Sequence, residues 1–173
     1  AIGEVYDKVA RVLDLPYPGG PNIEKYAEQG TPSYELPIPM NNDELNFSYS
    51  GLKSAVINLV HNLNQKNIEL NKEDLACSFQ NVVIETLTTK TIRAMKKYKI
   101  KNLILAGGVA ANKGIREKFE ELAKENDFKF SYPSLKYCTD NATMVATAGY
   151  FLYKEGKIAK DLQINANSGA KFE

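Results

Sequence analysis

The sequence predicts a helix-rich α/β fold with a small sheet. Three observations carry this. Several segments place apolar residues at helical spacing, the longest spanning 72–98. Two short extended runs, near 102–106 and 128–132, flank a further helix. Proline and glycine clusters separate these segments. Two strands joined through a helix form a β-α-β unit, most simply parallel and right-handed. The chain has 173 residues, 43% hydrophobic and 25% charged. At this length roughly 70% of the unfolded surface can be buried, so a core needs no metal or disulfide staple.

Each element can be justified in turn. Ile2, Val5, Val9, Val12 and Leu13 share one face, which predicts a helix over about 3–14. "LPYPGGP" (15–21) interrupts it, and "NIEKYAEQG" reads as a short helix ended by glycine. "TPSYELPIPMNNDEL" is proline-rich and irregular, a surface excursion. "NFSYSGLKSAVINLVHNLNQ" starts extended and turns helical near Gly51, with Leu52, Val56, Leu59, Val60 and Leu63 on one stripe. "KEDLACSFQNVVIETLTTKTIRAMKKY" opens with acids and closes with bases, as the helix dipole favours. A strand, two glycines and an amphipathic helix follow in "NLILAGGVAANKGIR". Then come the strand "FKFSY" and a last helix from about Asp140 to Tyr153.

The formal charge is +1, so any contact with nucleic acid is a local patch rather than a property of the whole surface. Cys77 and Cys138 are far apart and lack metal-type spacing, which suits free thiols in a reducing, cytoplasmic setting. No stretch is long and apolar enough to cross a membrane. The chain begins inside a helical pattern without an initiator methionine, and it is expected to be a piece of a longer protein.

Several residues could carry chemistry. Gly107 and Gly108, at the end of a strand, allow a ligand close to free backbone amides, and a helix start there would add a positive dipole end. Asn112 offers both a donor and an acceptor. The spacing matches neither G-x-G-x-x-G nor a phosphate-binding loop. Asp7 reads locally as a solvated carboxylate beside Lys8 and Arg11, and "PYPGGP" as a turn whose bare backbone could lie against a ring or ribose. Thr139 or Asp140 reads as the cap of the last helix, and one carboxylate alone cannot hold a transition metal. Lys90, Arg93 and Lys97 share a helix face that could grip a phosphate backbone, or simply be solvated. His61, the only histidine, reads as a flank residue of an amphipathic helix.

Taken in order, "GEVYDKVARVLDLPYPGGPNIEK", "FSYSGLKSAV", "LACSFQNVV", "LILAGGVAANKGIR" and "CTDNATMVATAG" closely resemble the blocks of the tRNA threonylcarbamoyladenosine transferase family, formerly labelled O-sialoglycoprotein endopeptidase or glycoprotease. The resemblance runs from Gly3 to about Gly149. It implies the C-terminal lobe, here 1–173 as a single lobe, of the two-lobed actin, Hsp70 and sugar-kinase (ribonuclease H-like) architecture, with a small mixed sheet. It also implies that Asp7, Gly20 and, at a neighbouring position, Glu24 contact a threonylcarbamoyl-adenylate or nucleotide. Asn112 would join them, with Gly107 and Gly108 letting the adenylate lie against the turn. Asp140 would complete a divalent metal site, iron or zinc. The family's H-x-x-x-H metal ligands and its phosphate-binding glycines of the N-terminal lobe have no counterpart in this chain, so the expectation is half a site.

The implied reaction moves threonylcarbamoyl from its mixed anhydride with AMP to N6 of the adenosine beside the anticodon of tRNA. The implied partners are tRNA, threonylcarbamoyl-AMP, and other subunits of the threonylcarbamoyladenosine synthesis complex. An apolar face that normally meets the missing lobe would favour a homodimer. No Ser, Cys or Lys stands in a setting that suggests a covalent intermediate. Three rivals are a metalloendopeptidase, a kinase or ATPase of the same superfamily, and a non-catalytic interaction module. The first would need a zinc motif such as H-E-x-x-H, which a single histidine cannot supply.

Overall fold

The computed structural model describes residues 2–40, 42, 44–159, 161 and 165; Asn41 and Asp43 of the proline-rich segment lie outside the described residues. In chain order the elements are α1 (Ile2–Val12), α2 (Gly19–Ala27), α3 (Ser50–Gln65), α4 (Lys72–Tyr98), β1 (Asn102–Ile104), a 3-10 turn (Gly108–Ala111), α5 (Lys113–Glu125), β2 (Lys129–Ser131), a second 3-10 turn (Leu135–Tyr137) and α6 (Ala142–Lys154). The chain divides into two units, Ala1–Cys138 and Thr139–Glu173.

In the first unit α1, α2, α3 and α4 enclose the core. Val9, Leu13, Ile23, Leu52, Val56, Leu75, Phe79 and Val83 are completely buried, each worth about 1.5–3 kcal/mol of transfer free energy. Apart from Leu13, which follows α1, these lie on the buried faces of the four helices. Tyr6 meets Phe79 edge-on, ring centroids 5.1 Å apart, a geometry that the ring quadrupoles favour. Helix α4 is held at both ends by local chemistry. The Asn71 side chain accepts the Asp74 N–H at 2.9 Å, Glu73 and Asp74 lie in the first turn, and Lys96 and Lys97 in the last.

β1 and β2 pair in parallel, with Leu103 opposite Phe130, as the β-α-β reading requires. The strands are shorter than expected, although Leu105 still donates to the Ser131 carbonyl at 3.0 Å beyond the ladder. The mixed sheet is corrected: among the described residues the sheet has two strands, both parallel. An antiparallel neighbour would need another extended segment, and the described part of 31–49 is irregular. α5 buries Ile115 and Phe119, and Phe119 packs against Phe130 of β2.

The second unit is built on α6. Asn141 caps it by accepting the Met144 N–H at 2.9 Å. Among the described residues, no helix is long and apolar enough to cross a membrane, and both cysteines are free thiols.

Candidate functional site

The site begins where α1 meets α2. Pro18 stands at the cap position of α2 and offers no side-chain cap, so the first amide of the helix needs another acceptor. Asp7 supplies it, accepting the Gly19 N–H at 2.8 Å. A carboxylate at this end also meets the positive end of the α2 dipole. Asp7 is therefore not the simple solvated carboxylate of the local reading; Lys8 instead pairs with Glu4. The close approach explains the first glycine of the pair. A Cβ on Gly19 would stand 2.5 Å from Asp7 Cα and 2.7 Å from the Tyr6 carbonyl oxygen. Gly20, the residue that the resemblance implicates, has nothing within 4 Å of a built Cβ. A side chain there would stand in open space.

Further along α2, Glu24 reaches the start of α5, where its Oε1 accepts the Lys113 N–H. Asn112 caps the same helix: its Oδ1 accepts the Ile115 N–H at 2.9 Å, and its Nδ2 donates to Gln80 Oε1 of α4 at 3.0 Å. Asn112 is 7% exposed. Its amide, expected to meet a ligand, already spans two helices inside the protein.

The glycine turn differs from the expectation in one respect. The helix does not start at Gly107 and Gly108; a 3-10 turn intervenes, and the regular helix begins at Lys113. The positive end of α5 is thus occupied by Glu24 and Asn112, and what the glycines offer is their own amides. Gly107 has φ 88° and ψ 175°, a conformation essentially restricted to glycine. Its carbonyl accepts the Ala110 N–H at 3.0 Å. Among the described residues, the Gly107, Gly108 and Val109 amides find no acceptor, and both glycines are exposed. Successive free amides in such a turn form a concavity suited to an anion. The start of α1 packs against it: a Cβ on Gly3 would lie 3.7 Å from Val109 Cγ2.

The fold therefore links Asp7, Gly20, Glu24, Gly107, Gly108 and Asn112 through α1, α2, the turn and α5. The sequence reading passed over Gly19, Gln80 and Tyr6. Gly19 was visible as the first of two glycines, but the contact that demands it comes from α1. The Tyr6 hydroxyl is buried without a partner among the described residues. Burial, followed by the nearby Glu24 carboxylate, raises its ionisation far above the usual tyrosine range.

Asp140 is exposed, in the second unit. The cap of α6 is Asn141 rather than Thr139 or Asp140: the helix begins one residue later than its capping signal suggested, and the Asn141 amide also donates to the Thr139 carbonyl at 2.9 Å. Among the described residues, no three His, Cys, Asp or Glu side chains are grouped so as to hold a metal ion. Asp140 by itself does not fit one.

The basic run is corrected as well. Lys90 is 4% exposed; its ammonium donates to the Glu44 carbonyl at 2.8 Å and to Asn42 Oδ1 at 3.4 Å. Arg93 donates to the Asn42 carbonyl. These two cations hold the loop before α3, while Lys96, Lys97, Lys99 and Lys101 remain exposed. His61 is an exposed residue of α3.

The family model described as tRNA N6-adenosine threonylcarbamoyltransferase (TsaD) matches residues 1–147. The tRNA N6-adenosine threonylcarbamoyltransferase of Staphylococcus haemolyticus (strain JCSC1435) is 51% identical over 174 residues, covering 100% of this chain and 51% of the relative. That of Bacillus cereus (strain ATCC 14579) is 53% identical over 175 residues, with the same shares. The chain spans about half the length of the curated relatives it matches. It belongs to the tRNA N6-adenosine threonylcarbamoyltransferase family.

Proposed function

We propose that this chain is the adenylate-binding half of a tRNA-modifying transferase. The full-length protein would move threonylcarbamoyl from threonylcarbamoyl-AMP to N6 of the adenosine beside the anticodon. The observation that carries the reading is the 107–111 turn. It presents three amides without acceptors among the described residues in a glycine-only conformation, within a chain of this family. The anhydride phosphate would be held at those amides, and the adenosine would lie against the open backbone of Gly20. The remaining groups set the frame: Asp7 fixes the start of α2, while Glu24 and Asn112 fix the start of α5. Acyl transfer to a weak amine gains from such orientation before any chemical group acts. Asp140 supplies at most one ligand to a metal, so this chain's own contribution is binding and positioning. tRNA would approach on the exposed lysines at the end of α4 rather than on Lys90.

The test is calorimetric titration of AMP into this chain and into the full-length protein, with Gly107→Ala as the variant. Binding by the full-length protein that falls on Gly107→Ala supports the reading. Full-length binding indifferent to Gly107 moves the nucleotide elsewhere, and a full-length protein without affinity for AMP refutes it.

A further inference from the structure

Arg116 lies one turn into α5. Its guanidinium is half-buried and serves three segments. Nε donates to the Ala110 carbonyl inside the 3-10 turn. Nη2 donates to the Pro133 carbonyl at 3.3 Å and to Cys138 Sγ at 3.2 Å. The guanidinium carbon lies 4.4 Å from the centroid of the Tyr132 ring, whose hydroxyl donates to Glu120 Oε1 back on α5. Only arginine offers several donors in one rigid plane together with a face that stacks on an aromatic ring.

Resting on the adenylate reading above, we propose that Arg116 is the positioning residue of the nucleotide-binding turn. It touches no ligand. It holds the Ala110 carbonyl, which fixes the Ala110–Ala111 peptide plane within the 3-10 turn that follows Gly107, and it ties that plane to the 132–138 segment. Gly107 and Gly108 carry no side chain to restrain them, and their amides bond to no acceptor among the described residues. A fixed array of donors therefore needs an anchor nearby, and the hydrogen bonds from the Arg116 side chain all end on loop or turn atoms rather than on the helical core. Pre-organisation of this kind appears as ligand affinity, because the turn then loses less freedom on binding.

The experiment compares the full-length protein with its Arg116→Lys and Arg116→Met variants. Kd for AMP is measured by calorimetry at a temperature where each variant is folded, alongside Tm. Arg116→Lys keeps the charge and most of the aliphatic stem, so it provides a folded variant should Arg116→Met be too unstable. The expected result is a loss of AMP affinity of about tenfold in both, since an ammonium cannot span the separated acceptors, with Tm in the lysine variant changed little. Wild-type affinity in the lysine variant, or lost affinity only in step with a lowered Tm, overturns the positioning role while leaving the adenylate reading intact. A wild-type full-length protein that binds no AMP overturns both.

Discussion

Replacing Asn112 by alanine removes two bonds of different kinds, and their separate magnitudes can be worked out. The Oδ1 contact to the Ile115 N–H is an N-cap, worth about 1 kcal/mol. The Nδ2 contact to Gln80 leaves an acceptor behind. Gln80 is 8% exposed, and a buried polar group without its partner costs about 1–3 kcal/mol. Asn112→Ala should therefore destabilise the chain by about 3 kcal/mol, a fall of roughly 6–12 °C in Tm at this size. Gln80→Met removes the stranded acceptor and already leaves the Asn112 side-chain N–H unmatched, so in that background Asn112→Ala should cost no more than the cap, about 1 kcal/mol. Urea unfolding of the four proteins of this cycle, followed by far-UV circular dichroism, measures the coupling directly. Equal costs of Asn112→Ala in the two backgrounds would refute the argument, because Asn112 and Gln80 would then not be partners. The outcome also bears on function: a loss of nucleotide binding in Asn112→Ala reports on Asn112 as a ligand only at temperatures where the variant remains folded.

Gly19→Ala would force a Cβ to 2.5 Å from Asp7 Cα; separating α1 from α2 should cost about 1–3 kcal/mol, and an unchanged Tm would show that the two helices do not pack this closely. The Asp74 carboxyl accepts the Thr31 N–H at 2.8 Å and the Thr31 and Ser33 hydroxyls, and those bonds, the backbone one foremost, hold its pKa below the usual carboxylate value. A depressed folded-state pKa contributes stability that is present above the unfolded value of about 3.9 and lost as pH falls through the folded value. Asp74→Asn should accordingly flatten the acid limb of the stability profile measured by Tm against pH, and an identical acid limb would count against this role.

The sequence by itself determined most of what depends on neighbours within a turn or two, together with the strand-helix-strand order from which parallel pairing follows. The apolar stripes of α1 and α3, the acidic start and basic end of α4, and the parallel β-α-β unit all follow from spacing that local sterics and burial enforce. The α6 cap was misplaced by one residue because Thr139, Asp140 and Asn141 can each cap a helix, and only the backbone path selects among them. Tertiary structure alone decided the rest. Glu24 and Lys113 meet across 89 residues, Lys90 and Glu44 across 46, and Asn112 and Gln80 across 32. No periodicity reports such distances. The family blocks pointed to the site residues, yet they could not show that Asp7, Glu24 and Asn112 spend bonds on helix ends. Nor could they show that a lysine from a basic run is buried against loop carbonyls. An unmatched amide or ammonium is costly to bury, and which acceptor meets it is settled only when distant segments pack together.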